Sequence, residues 1–194
     1  MKVCGLTGGI GMGKSAATEF LRARRVPAVD TDELARQLVQ PGQPALAEIQ
    51  AGFGKDVLAA GGRLHREKLA QIIFADAGAR RKLEAILHPR IQERWQAQVE
   101  IWRRENHPLA VVVIPLLFET GAEPSFDKII CVACSGPTQR ERLLARGWTP
   151  DQIRQRLAAQ WPIDRKIARS DFVIWTDGTM DTHTQQLEQV LAAL

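Results

Sequence analysis

Residues 5–15 read GLTGGIGMGKS, five glycines and one lysine in eleven residues. The segment before them, Lys2–Leu6, is short and apolar after its lysine, and reads as a strand. The segment after them, from Lys14 to Arg24, has helical periodicity. Gly8-Gly9-Ile10-Gly11-Met12-Gly13-Lys14-Ser15 fits the spacing G-x-x-x-x-G-K-[ST] without a gap. Glycines let successive backbone N–H groups turn inward and approach oxygen atoms without a Cβ clash. The following helix points the positive end of its dipole at the same spot. Lys14 can reach β- and γ-phosphates, and the Ser15 hydroxyl can ligate Mg²⁺. The stretch from Gly9 through Gly11, Met12 and Gly13 to Lys14, Ser15 and Ala16, with Ile10 inside it, is therefore assigned to nucleotide phosphate.

Working outward, four more strands are expected. Val26–Asp30 is short, and Leu109–Phe118 holds the run AVVVI, suited to a strand buried on both faces. Lys128–Cys134 and Asp171–Thr176 follow. Helical stretches separate them, which predicts an α/β fold: a five-stranded parallel sheet between two helical layers. Residues 1–62, 108–136 and 171–194 form the expected nucleotide-binding core. Residues 63–107 read as a helical insertion, with Pro89 starting its last helix. Residues 137–170 carry seven arginines and one lysine against three acids, and read either as a solvated helical face or, as is expected here, as a lid over polyphosphate. Within it, Thr149-Pro150 predicts a fresh helix start after Gly147.

The chain has 194 residues, 45% of them hydrophobic and 25% charged, with a formal charge of +4, which describes an ordinary globule and does not argue for nucleic acid. No apolar run reaches the roughly 18 residues of a membrane helix, and the first ten residues do not read as a signal peptide. Three cysteines provide no disulfide framework, so a cytoplasmic location is expected. Cys131 and Cys134 form a C-x-x-C, but on a strand they point to opposite faces, against a redox role. Four histidines show no metal-ligand spacing. Trp95 and Trp102 share one helical face and read as packing.

A nucleoside triphosphate site fits a small-molecule kinase, a GTP switch or a mechanical ATPase. No Asn-Lys-x-Asp guanine motif is present, and the chain is short. A helical insertion and an arginine-rich segment fit a kinase best, because a kinase needs an acceptor site and a cover that excludes water. Asp30 and Asp32 lie just past the second strand, where an α/β sheet lines its ligand crevice. A carboxylate there can accept a hydroxyl proton.

LTGGIGMGKS, DTDELAR, QPG, LHPRI, IPLLFE and the late K…SDFVI…G together resemble the dephospho-coenzyme A kinase family, from Val3 to about Gly178. The loop alone is common to many families; the combination is far more specific. The resemblance implies transfer of a phosphoryl group from ATP, with Mg²⁺, to the ribose 3′-hydroxyl of dephospho-CoA, in a monomer or small homo-oligomer without nucleic-acid or membrane partners. It gives Asp32 the base role, with Asp30, Arg36 and His88 on the acceptor side. It places Arg142 and Arg146 in or beside the lid, Arg142 at the moving phosphoryl group and Arg146 at the nucleotide. Lys166 matches a lysine of the family's late motif. Another P-loop kinase of small metabolites or nucleotides, or a nucleotide-binding regulator without turnover, is the alternative. Met12, Ala16, His65 and Thr176 depart from the family pattern.

Overall fold

The computed structural model describes residues 1–194. Five strands, β1 (Lys2–Gly8), β2 (Ala28–Asp30), β3 (Leu109–Val113), β4 (Lys128–Ala133) and β5 (Phe172–Trp175), form one sheet. The helices are α1 (Lys14–Ala23), α2 (Thr31–Leu38), α3 (Pro44–Phe53), α4 (Arg66–Ala75), α5 (Ala77–Arg104), α6 (Gly136–Ala145), α7 (Pro150–Ala158), α8 (Ile163–Ile167) and α9 (Met180–Ala193). The chain divides into two compact units, Met1–Asp30 with Val99–Leu194, and Thr31–Gln98.

The first unit holds the whole sheet. All pairings are parallel, in the order β2-β3-β1-β4-β5. The expected five-stranded parallel sheet is present. β1 lies at its centre, which is why this strand carries so little polar character: Cys4 and Leu6 are fully buried. On one face Val111, Val113, Ile130, Val132 and Ile174 pack with Ala17 and Leu21 of α1 and Leu187 and Val190 of α9. Each fully buried aliphatic side chain of this kind contributes about 1.5–3 kcal/mol. Lys166 of α8 is fully buried, donating to the Pro115 carbonyl at 2.8 Å and pairing with Glu119 at 2.8 Å.

At the β5 edge, Gln186 of α9 grips the main chain of Trp175. Its Nε2 donates to the Trp175 carbonyl at 2.9 Å, and its Oε1 accepts the Trp175 N–H at 2.8 Å. Between β4 and β5 lie α6, α7 and α8. Thr149 caps α7 in a full capping box with Gln152, after Gly147 at φ +80°, as the Thr-Pro pair predicts. The arginines of this segment do not simply face solvent. Arg154 pairs with Asp151, Arg169 with Glu123, and Arg156 and Arg165 lie over Trp148 and Trp161.

The second unit contains α2, α3, α4 and most of α5. Its core is Val39, Leu46, Ile49, Val57 and Leu69, with Leu83, Ile86 and Leu87 of α5 packed against it. It begins at Thr31, directly after β2, whereas sequence patterning starts the insertion at residue 63. α2 and α3 resemble ordinary crossover helices in sequence; Leu46 and Ile49 tie α3 to this core, and Val39 joins it just after α2. Pro89 does not start a helix. It lies inside α5, which runs unbroken over 28 residues. Two observations account for this: the apolar stripe just before it is held in the core, and Arg90 donates to the Ile86 carbonyl at 2.6 Å and to Glu48 at 2.5 Å. Packing thus overrides a breaker worth about 3 kcal/mol.

His65 caps α4, its Nδ1 accepting the Lys68 N–H at 3.4 Å. That is a long bond from a residue outside the favoured capping set. An aspartate accepts the same N–H from a shorter side chain and adds charge against the helix dipole. His65→Asp is therefore expected to stabilise the protein by about 0.5–1 kcal/mol. Urea unfolding checks this; an unchanged or lower midpoint means the imidazole contributes through packing instead.

Candidate nucleotide and phosphoryl-transfer site

The loop joining β1 to α1 turns on glycines that no other residue replaces. Gly8 has φ +146°, and a Cβ there would sit 2.1 Å from the Val132 carbonyl oxygen of β4. Gly13, at φ +97°, is the N-cap of α1, so it offers no capping side chain, and no acid stands in the first turn. The helix thus sets its positive dipole end at the loop with no acid beside it, which suits an anion. Lys14 curls back over the loop, its Nζ donating to the carbonyls of Gly8 and Gly9, both at 2.9 Å. Ser15 is exposed in the first turn, beside Ala16. Met12 is turned inward and 3% exposed, with its sulfur against Gly9. It offers the loop only its backbone, so its departure from the family pattern leaves the cradle intact.

The loop is braced from behind at two points. The Met12 carbonyl accepts from the Thr176 hydroxyl at 3.0 Å. Thr176 in turn receives Arg142, whose guanidinium donates to its Oγ1 at 2.9 Å and to its carbonyl at 2.5 Å. Thr176, where the family pattern has asparagine, is thus tied to the loop. Ile10 is the second point: its N–H donates to Gln160 and its carbonyl accepts from Gln139. Neither glutamine has a charge or a local pattern to mark it in the sequence.

Nearby titrations follow from these contacts. Asp177 accepts the Ser135 hydroxyl at 2.7 Å and the Ser135 N–H at 2.8 Å. The Ser135 hydroxyl, with Thr138 next in weight, holds its carboxyl below the usual range. His183 is buried in α9, and burial, with the Arg142 charge second, pushes its imidazole below its ordinary value. Burial pushes the Cys131 thiol up to about 11, so the C-x-x-C is a pair of packed thiols and not a thiolate site.

The remaining expected residues are placed as follows. Asp30 ends β2, in register with Val113 of β3, and is half-buried. Asp32 is exposed in the first turn of α2, and Arg36, four residues on, is exposed on the same helix. His88 is exposed on α5. Arg146 is exposed at the end of α6. Asp30 belongs to the first compact unit, and Asp32, Arg36 and His88 to the second.

This loop geometry can hold a nucleotide's phosphates, and the chain is similar over its length to proteins named dephospho-CoA kinases. The dephospho-CoA kinase family model matches residues 2–182. A dephospho-CoA kinase from Anaeromyxobacter dehalogenans is 45% identical over 100% of this chain and 92% of its own length. The crystal structure of TT1252 from Thermus thermophilus covers 100% of this chain and 97% of its own, at a TM-score of 0.83 and 32% identity. Dephospho-CoA kinase from Campylobacter jejuni shares the fold at a TM-score of 0.72 and 24% identity, over 98% of this chain and 95% of its own. With its phosphate loop intact and the match running nearly end to end, the chain belongs to the dephospho-CoA kinase family.

Proposed function

We propose that the protein transfers the γ-phosphoryl group of ATP to the ribose 3′-hydroxyl of dephospho-CoA, giving coenzyme A and ADP. The observation that carries this reading is the family match over residues 2–182, which includes both the phosphate loop and the Asp30-Thr31-Asp32 acids. In the reaction the 3′-oxygen forms a bond to the γ-phosphorus. The bond from that phosphorus to the β–γ bridging oxygen breaks, and ADP takes the electron pair. The hydroxyl proton passes to Asp32, whose exposure in the first turn of α2 suits a group that meets an incoming substrate. Asp30, Arg36 and His88 are assigned to the acceptor.

Gly9–Ala16 hold the phosphates through main-chain N–H groups and the α1 dipole. Lys14 and Arg142 set positive charge against the moving phosphoryl group, Arg142 from its seat on Thr176 and Arg146 beside it. The exposed Ser15 hydroxyl, a hard oxygen ligand at the helix start, suits Mg²⁺, which would neutralise phosphate charge when bound. No helix is long and apolar enough to cross a membrane. Three buried free thiols suit the reducing cytoplasm, where we place the enzyme.

Lys14→Ala is expected to abolish transfer while circular dichroism stays unchanged, because the lysine lies on the loop and outside the core. Near-normal turnover would sink the phosphate-loop assignment.

Asp32→Asn is expected to lower kcat by about 10²-fold or more, with ATP affinity almost unchanged. Steady-state rates beside ATP titration check it. Collapse of ATP affinity with surviving turnover would make Asp32 a metal or structural residue.

Arg142→Ala is expected to lower kcat by about 10²-fold, well beyond its effect on the dissociation constant for ATP. Equal losses in both would confine Arg142 to bracing Met12 through Thr176.

A further inference from the structure

Ile10 stands between Gly9 and Gly11, where the backbone resists rotation least. Both of its main-chain polar groups are nevertheless held. Its N–H donates to Gln160 Oε1 at 3.1 Å, and its carbonyl accepts from Gln139 Nε2 at 2.7 Å. Gln139 is on α6 and 7% exposed; Gln160 follows α7. Two points of the arginine-rich segment, one near its start and one after α7, thus meet at one residue of the phosphate loop.

The Gln160 end is itself fixed. The N–H of Trp161 donates to Glu119 Oε1 at 2.7 Å, and the same oxygen pairs with the buried Lys166 at 2.8 Å. Lys166 also donates to the Pro115 carbonyl at 2.8 Å, which receives the hydroxyl of Thr7, in β1, at 3.2 Å. The Trp161 ring stacks on Phe118, centroids 5.9 Å apart and planes 7° from parallel. Gln160 is therefore anchored to the ends of β1 and β3 and does not drift with a surface helix.

We propose that Gln139 and Gln160 are positioning residues for phosphoryl transfer, acting through Ile10. The inference rests on the phosphotransfer reading above. Gln160 holds the N–H side of the peptide plane between Gly9 and Ile10, whose carbonyl side accepts from Lys14 at 2.9 Å. Gln139 fixes the plane between Ile10 and Gly11. In a trans peptide the carbonyl and the N–H point in opposite directions. The grip of Gln139 on the Ile10 carbonyl therefore turns the Gly11 N–H away from α6 and makes it a donor of fixed direction for phosphate. A flexible loop thereby acquires two planes of defined orientation from side chains that bond its main chain.

The main chain dictates the polarity of each glutamine: residue 160 serves as an acceptor and residue 139 as a donor. Glutamate matches glutamine in shape but cannot donate. Gln160→Glu keeps the bond to the Ile10 N–H. Gln139→Glu loses its bond and sets a carboxylate against a carbonyl. Expected is a fall in kcat of about 10- to 100-fold for Gln139→Glu with KM for dephospho-CoA nearly unchanged, and of no more than about threefold for Gln160→Glu. Repulsion of ATP by an added carboxylate appears in the KM for ATP of both variants and not in this difference. A packing role moves both variants alike, so equal kcat values overturn the proposal.

The second readout needs no acceptor substrate. Hydrogen exchange at the Ile10 amide, followed by NMR, is expected to quicken by about tenfold or more in Gln160→Ala and to stay slow in Gln160→Glu. Unchanged exchange in Gln160→Ala overturns the proposal. Absence of transfer to dephospho-CoA in the unaltered protein would defeat the functional reading and leave this measurement decisive for the glutamines. Where circular dichroism shows Gln139→Glu unfolded, Gln160→Ala against Gln160→Glu takes its place: a kcat gap of about fivefold or more supports the proposal, and equal kcat overturns it.

Discussion

A helix start with no capping side chain and no acid in its first turn carries positive potential. The first turn of α1 is such a start, and the surrounding structure maintains it. Gly13 can cap the helix only by lacking a side chain. Gly8 lets β1 run so close to β4 that no Cβ fits between them. Met12 turns inward, so the only groups facing a ligand from that position are main-chain ones. Placing β1 at the centre of the sheet fixes the point from which all of this springs.

A loop made mostly of glycine is entropically expensive to hold in one shape. Here Lys14 ties two of its carbonyls, and the rest of the order comes from outside it. Thr176 reaches in from the end of β5, Gln139 from α6 and Gln160 from the end of α7. Behind them stands Lys166, fully buried yet matched with a carboxylate and a carbonyl. Such a pair adds little net stability over an apolar replacement, but removing one partner typically costs about 3–5 kcal/mol. Its value is geometric: it fixes where the chain returns to the sheet after α7.

The features legible in the sequence were those whose physics is local. Five strands, the phosphate loop and the Thr149 capping box each depend on residues a few places apart. Pro89 misled because its effect on a helix is local while the burial of Leu83, Ile86 and Leu87 that overrides it is not. The boundary at Thr31 could not be read for the same reason: Val39 after α2 and Leu46 and Ile49 of α3 join the second unit's core through burial and not through composition. The two glutamines are the extreme case. Each lies well over a hundred residues from Ile10 in the chain, and neither carries a charge that would have singled it out. Arg142 could be picked out because it matches a position of the family, but its seat on Thr176 could not.

The grip of Gln186 on Trp175 has a consequence for solubility. β5 is the outermost strand on its side, and its four residues, Phe172-Val173-Ile174-Trp175, are wholly apolar and free of proline. An open edge of that composition is a template on which a further chain can add. The Gln186 side-chain amide occupies the N–H and the carbonyl of one residue, as a paired strand would, and it closes the ladder there. Fraying of α9 removes that plug and uncovers the β5 edge at the same moment. The terminal helix therefore protects the molecule from assembling with its own copies as well as covering its core.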